Sequence, residues 1–251
     1  MILNELILPN SAADGYERWR SDALDIMTGG GALQYRSQHT RFRDLYFVHS
    51  NAGLRGGERV LELGAWPAYG FMCFKDSALI VASDSMSRLN DRALTGVDQS
   101  PVEWVKACNA IQPNMRSEVI DACDIPYDGF FDLVYSISVL EHIKDDDLAL
   151  AQMFKALKPG GKMILTTEVN LFVGMPYQED VFFRVYKFFD AIDKVRAAGF
   201  IVSGGGIVGC DNAWAIEMMT PAINNPGVLR QPYKHFVSGG ISCVKPEVMN
   251  G

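Results

Sequence analysis

One continuous stretch, Asp121 to Glu168, restricts this chain to very few architectures. It reads in order as an acidic loop, a short apolar strand, a helix, a Lys-Pro-Gly-Gly stop and a second apolar strand. Phe131–Ser136 and Lys162–Thr167 are too apolar to leave either face in water, which is the signature of strands covered on both sides. The helix between them spans Asp145 to Leu157 and ends where Pro159, Gly160 and Gly161 forbid its continuation. A strand, a crossover helix and a second strand pair in parallel by a right-handed connection.

The alternation extends in both directions. Upstream, Arg59–Leu63, Ala78–Ala82 and Glu118–Asp121 read as strands. Ser100, Pro101 and Glu103 supply the N-cap, N1 and N3 residues of a capping box between the second and third strands. Downstream, Asp180–Ala198 reads as a helix, Gly199–Val202 opens another strand, and Ile241–Lys245 forms a last one. Residues 1–57 read as mainly helical, with helices from Asp14 or Gly15 to Ile26 and from Thr40 to Asn51, punctuated by glycines. The expected class is α/β, a doubly wound and mostly parallel sheet. Its organisation is an N-terminal helical cap over 1–57 and a sheet domain over 58–251. The Gly-, Pro- and Asn-rich part near 204–240 is expected to be irregular and to lie on the acceptor side.

Composition narrows the function. The five cysteines form no C-x-x-C pair, and a reducing, cytoplasmic setting fits them better than a disulfide framework. The four histidines have no ligand-like spacing, so no metal is expected; Asp145-Asp146-Asp147 reads as a capped and solvated helix start. A net charge of −7 gives no general attraction to nucleic acid. The one basic group, Arg36, His39, Arg41 and Arg43, reads as a solvated helix face. No segment approaches the roughly 20 apolar residues that span a bilayer. No G-x-x-x-x-G-K-[ST] phosphate loop or G-x-S-x-G elbow occurs. A monomer or homodimer is the expected form.

In an open parallel sheet, ligands bind at the carboxyl ends of the strands. Three features fall there: Glu62-Leu63-Gly64-Ala65 after the first strand, Ser83-Asp84-Ser85 after the second, and Cys123-Asp124-Ile125-Pro126 after the third. Asp84 stands where a ribose-binding carboxylate is expected, and a helix N-cap is its other possible role. With Ser138-Val139-Leu140-Glu141-His142-Ile143 and the Lys158–Gly161 stop, these blocks resemble the class I S-adenosylmethionine-dependent methyltransferases, in their small-molecule branch. The likeness covers roughly 58–168 and weakens towards about 202. It departs from the usual E/D-x-G-x-G-x-G loop at Trp66 and Ala68, which stand where the second and third glycines are usual.

The resemblance implies a seven-stranded sheet and S-adenosylmethionine as cofactor. By it, Glu62, Gly64 and Ala65 meet the methionine moiety, and Asp84 with Ser85 meets the ribose. Cys123, Asp124 and Ile125 flank the adenine, while Ser136 and Ile137 lie beside the sulfonium. His142 and Glu168 are the first candidates for a base, with His39 behind them, since histidine titrates near neutrality and a strand-end carboxylate can take a proton. Tyr16, Trp19, Phe172 and Tyr177 are either acceptor contacts or core. The expected activity is O-methylation of a small metabolite or sugar. The competing readings are a methyltransferase-like binding scaffold without turnover and a dinucleotide-dependent oxidoreductase, the latter requiring a full G-x-G-x-x-G turn.

Overall fold

Strand β1, Arg59–Leu63, buries every residue after its first, so it can only be an interior strand. The computed structural model describes residues 15–16, 18–19, 21–22, 41–65, 74, 76–85, 106, 109, 113–170, 184–208 and 236–247. The capping box at Ser100–Glu103 and residues Trp66 to Gly70 lie outside these. Parallel to β1 run β2, Leu79–Asp84, on one side and β4, Phe131–Ile137, on the other. Strand β3, Met115–Val119, pairs with β2 at one edge. Beyond β4 come β5, Leu157–Asn170, then β8, Phe236–Val244, then β7, Ile201–Ile207. A two-residue strand, β6, Tyr186–Lys187, pairs with the end of β5 and makes eight. The order is β3-β2-β1-β4-β5-β8-β7, and β8 is antiparallel to both of its neighbours.

Helices cover both faces. On one face α1, Arg41–Ala52, seats Phe42, Leu45, Phe47 and Val48 against Val60, Ile80, Leu133, Tyr135 and Ile164. On the other, α2, Asp146–Ala156, and α3, Phe188–Ala197, pack against Leu61, Leu63, Val134, Met163 and Leu165. The period-two alternation of each strand therefore sends successive side chains into two separate cores. Glycine makes the fit possible on β8: a Cβ on Gly240 would come within 2.6 Å of the Phe47 ring, and one on Gly239 within 2.8 Å of Val169.

Two lysines of the sheet finish the helices. Lys162 Nζ donates to the carbonyls of Asn51 and Ala52 at 3.0 and 2.9 Å, where Gly53 takes φ +61° to end α1. Lys245 Nζ donates to Phe154 and Leu157 carbonyls at 2.9 and 2.7 Å at the end of α2. Each cation meets the negative end of a helix dipole and satisfies carbonyls that have no helical partner.

The structure corrects several expectations. Lys158–Gly161 is part of β5 rather than a free turn: Gly160 N donates to Lys245 O and Lys245 N to Gly161 O, each at 2.9 Å, and a register shift opposite Phe131–Leu133 absorbs the kink. Strand β3 begins at Met115, earlier than Glu118, because an edge strand needs no continuous apolar run. Strands β2, β7 and β8 are longer than expected, and β7 and β8 enter both ends of the segment expected to be irregular. Of the expected Asp180–Ala198 helix, residues 180–183 lie outside the described residues; 184–187 are not helical, Arg184 and Tyr186 being drawn onto Asp146, and α3 starts at Phe188.

Asp146 differs most from expectation. Asp145 caps α2 as expected, its Oδ1 accepting from Leu148 N at 3.1 Å. Asp146 is not solvated but 4% exposed. It accepts from Tyr186 OH at 2.6 Å and Lys194 Nζ at 3.1 Å and is ion-paired to Arg184. Burial pushes its pKa up, but the hydrogen bonds from Tyr186, Arg184 and Lys194 together outweigh it and hold the carboxyl below its ordinary value.

Candidate active site

Chain connections leave β1 towards β2 on one side and return to β4 on the other, so the crevice outside the carboxyl ends of β1 and β4 is the switch point of this sheet. Gly64 follows β1 with φ +76°, and the Val139 side chain occupies the space over it. A Cβ on Gly64 would lie 2.2 Å from Val139 Cγ2. Ala65 is fully buried, and its N–H donates to Ser83 O at 2.9 Å, tying the loop after β1 to the end of β2. Ser83 Oγ returns a hydrogen bond to Glu62 O at 2.7 Å. Glu62 is buried, and its Oε2 accepts from Tyr135 OH at 2.7 Å across to β4.

Asp84 closes β2 half-buried, with Ser85 beside it, and its carbonyl accepts from Ile120 N at 3.1 Å. The segment after β3 is folded by its own acids: Asp121 Oδ1 accepts from Cys123 N at 2.8 Å and Asp121 O from Asp124 N at 2.9 Å. This leaves the Asp124 side chain exposed and Ile125 fully buried. Burial, then the charge of Asp121, raises the pKa of the Cys123 thiol, whose sulfur lies 3.4 Å from the Asp145 carbonyl. That environment suits a packed thiol rather than a nucleophile.

The end of β4 is built differently. Ser136 is 1% exposed, and its Oγ has no hydrogen-bond partner among the described residues. Ile137 is half-buried on the α1 face. Ser138 takes φ +49°, a conformation a serine adopts only when its surroundings impose it. Its N–H donates to Thr166 O at 2.9 Å. Leu140–His142 then form one 3-10 turn, in which His142 is half-buried and its backbone N–H donates to Val139 O at 2.9 Å.

Glu168 lies half-buried near the end of β5, opposite Ser238 of β8. Ser238 Oγ in turn donates to the buried Asp44 of α1. Glu62, Gly64, Ala65, Asp84, Ser85, Ser136 and Ile137 thus share the carboxyl edges of three adjacent strands, and Cys123, Asp124 and Ile125 follow the fourth. Tyr16 is core, stacked with Trp19 at 6.5 Å and meeting Tyr46 edge-on at 5.3 Å. His39, Phe172 and Tyr177 lie outside the described residues.

Asp44, Glu141 and Thr167 were not singled out from the sequence. Their roles come from pairs 194 and 26 positions apart, Ser238–Asp44 and Thr167–Glu141, which only the strand register brings together. The one available signal for Glu141 was its place in the Leu140-Glu141-His142 run.

A family model described as a methyltransferase domain matches residues 81–165. Over 172 residues the chain is 29% identical to 27-O-demethylrifamycin SV methyltransferase of Amycolatopsis mediterranei, covering 62% of this chain and 58% of that one. Over 149 residues it is 31% identical to a ubiquinone/menaquinone biosynthesis C-methyltransferase of Vibrio campbellii, covering 56% and 49%. Both matches therefore span less than two thirds of the relative. Among solved structures, a [4+2]-cyclase, SpnF, superposes with a TM-score of 0.62 at 17% identity, over 90% of this chain and 93% of that one. These matches make residues 81–165 similar to a methyltransferase domain, set within a mostly parallel, Rossmann-like sheet. The reversed β8 sets it apart from dinucleotide-binding domains, whose order is 3-2-1-4-5-6.

Proposed function

We propose that the chain is an S-adenosylmethionine-dependent methyltransferase that methylates a hydroxyl oxygen of a small molecule. What supports this is the switch point outside the carboxyl ends of β1 and β4, where the left-handed turn at Gly64 meets the buried Ser136 hydroxyl, which has no hydrogen-bond partner among the described residues. A buried hydroxyl without a partner is costly, and a ligand hydrogen bond at the crevice relieves it. Asp84, at the next strand end, suits a pair of ribose hydroxyls. The loop folded by Asp121 leaves the Asp124 carboxylate exposed, where it can accept from an adenine amino group.

S-adenosylmethionine supplies a methyl group already activated by the sulfonium charge, so the protein chiefly aligns the acceptor, excludes water and takes a proton. His142 stands on the turn after β4, and Glu168 near the end of β5; these are the two proposed bases for an acceptor hydroxyl. The relative named for a 27-O-demethyl substrate supports oxygen as the acceptor atom. The relatives' names, one for a demethylrifamycin substrate and one for quinone biosynthesis, support a small-molecule acceptor.

The test is transfer of label from methyl-labelled S-adenosylmethionine into a metabolite extract, followed by identification of the product. Label in an O-methyl group of a low-mass product, dependent on the protein, is expected. Label on nitrogen or carbon would refute the acceptor atom. Absence of any transfer by a protein that binds the cofactor would favour the scaffold reading, which the altered glycine loop at Trp66 and Ala68 supports. If His142 is the base, His142→Ala lowers turnover across about pH 6 to 9, where imidazole changes charge; unchanged turnover moves the role to Glu168.

A further inference from the structure

Glu141 is fully buried, yet it belongs to a one-turn helix at the reaction edge rather than to the interior of the sheet. Its Oε2 accepts a hydrogen bond from the Thr167 hydroxyl at 2.8 Å, and Thr167 is itself fully buried in β5. A carboxylate is not removed from water without a structural or functional return, because its desolvation opposes folding. Its position suggests what that return is. The segment Ser138–His142 is held at three points: Ser138 N on Thr166 O, Glu141 on Thr167, and the Val139 side chain against Gly64. The left-handed φ of Ser138 shows that these anchors hold the backbone where it would not otherwise rest.

We propose that Glu141, through Thr167, is a positioning residue for the cofactor. The pair pins the turn after β4 to β5, so that Val139 stays against Gly64 and the floor of the β1–β4 crevice keeps one shape. The inference rests on the reading above that the cofactor occupies this crevice. Neither residue needs to touch it.

Calorimetry with S-adenosylhomocysteine on the full chain tests the proposal, well below the melting temperature of every variant. Thr167→Val keeps the volume and removes the hydroxyl, and it is expected to weaken binding about tenfold, the scale of one lost hydrogen bond to a charged group. Thr167→Ser restores wild-type affinity, and Glu141→Gln, which still accepts from Thr167, stays within about threefold. Lys162→Met, at the opposite edge of the sheet, serves as the stability control: it lowers Tm and leaves affinity unchanged. If Thr167→Val lowers Tm like the control but binds as wild type, the pair is merely structural and the proposal falls. If wild type does not bind at all, the cofactor reading falls first, whatever the variants do.

Discussion

Gly64 shows at the scale of one residue how backbone geometry and a ligand crevice depend on each other. Its φ of +76° is costly for any L side chain, and Val139 fills the place a side chain would take. Gly64→Ala is expected to cost about 2–4 kcal/mol, from the left-handed conformation and the overpacking together. Urea denaturation would read this, and cofactor affinity falls with it. The sequence marked Gly64 clearly, since a glycine directly after an apolar strand has few other uses. It marked Asp146 poorly, because three consecutive aspartates look alike until β6 places Arg184 and Tyr186 beside the second. The folded-state pKa of Asp146 lies below its ordinary value of 3.8. Its stabilising contribution is therefore complete above that value and disappears as pH falls through the lower folded value. At pH 7, Asp146→Asn is expected to lose about 3 kcal/mol, since it leaves Arg184 and Lys194 facing a neutral partner. The gap between wild type and variant in urea midpoint narrows as pH falls below 3.8 and closes below the lower folded value. A gap independent of pH would mean that packing, not charge, accounts for the loss.

Among the elements, β1, β4 and α2 were legible almost to the residue, because burial on both faces and a capped amphipathic helix leave strong local patterns. Strand β5 was legible only in its second half. Its start runs through Pro159, Gly160 and Gly161, a run that reads locally as a turn. It becomes a strand only because β8 returns antiparallel and pairs with Gly160 and Gly161 at Lys245. Strand β6 is two residues long and carries no periodic signal; it exists because α3 must be delivered to the sheet at Phe188. The lysine caps were hidden for the same reason, as each lies far in sequence from the helix it ends. Lys245→Met removes the donor to Phe154 and Leu157 carbonyls and should cost about 1–2 kcal/mol. Hydrogen exchange should show the loss as faster opening at the last turn of α2, with the first turn, capped by Asp145, unaffected.

Over the whole molecule, one topological fact places the chemistry: the chain leaves β1 in one direction and returns to β4 in the other. The carboxyl edge that results gathers Glu62, Gly64, Asp84 and Ser136 from positions spread across the chain. The alternation of strands and helices foretold this edge. The sequence was silent on the contacts across it, Glu62 with Tyr135 and Glu141 with Thr167, because they depend on register. The acceptor is less legible than the cofactor for a physical reason. Cofactor contacts come from strand ends that the fold fixes, whereas acceptor contacts come from caps and loops that vary freely on a constant sheet.

In the proposed complex, S-adenosylmethionine lies outside the carboxyl ends of β1 and β4, with Asp84 on its ribose. Calorimetric titration with S-adenosylhomocysteine and with NAD, on wild type and Asp84→Ala, tests it most directly. Saturable binding of S-adenosylhomocysteine to wild type is expected, weakened about tenfold or more in Asp84→Ala by loss of charge-assisted hydrogen bonds, with no tight binding of NAD. Tight NAD binding with no response to S-adenosylhomocysteine would contradict it.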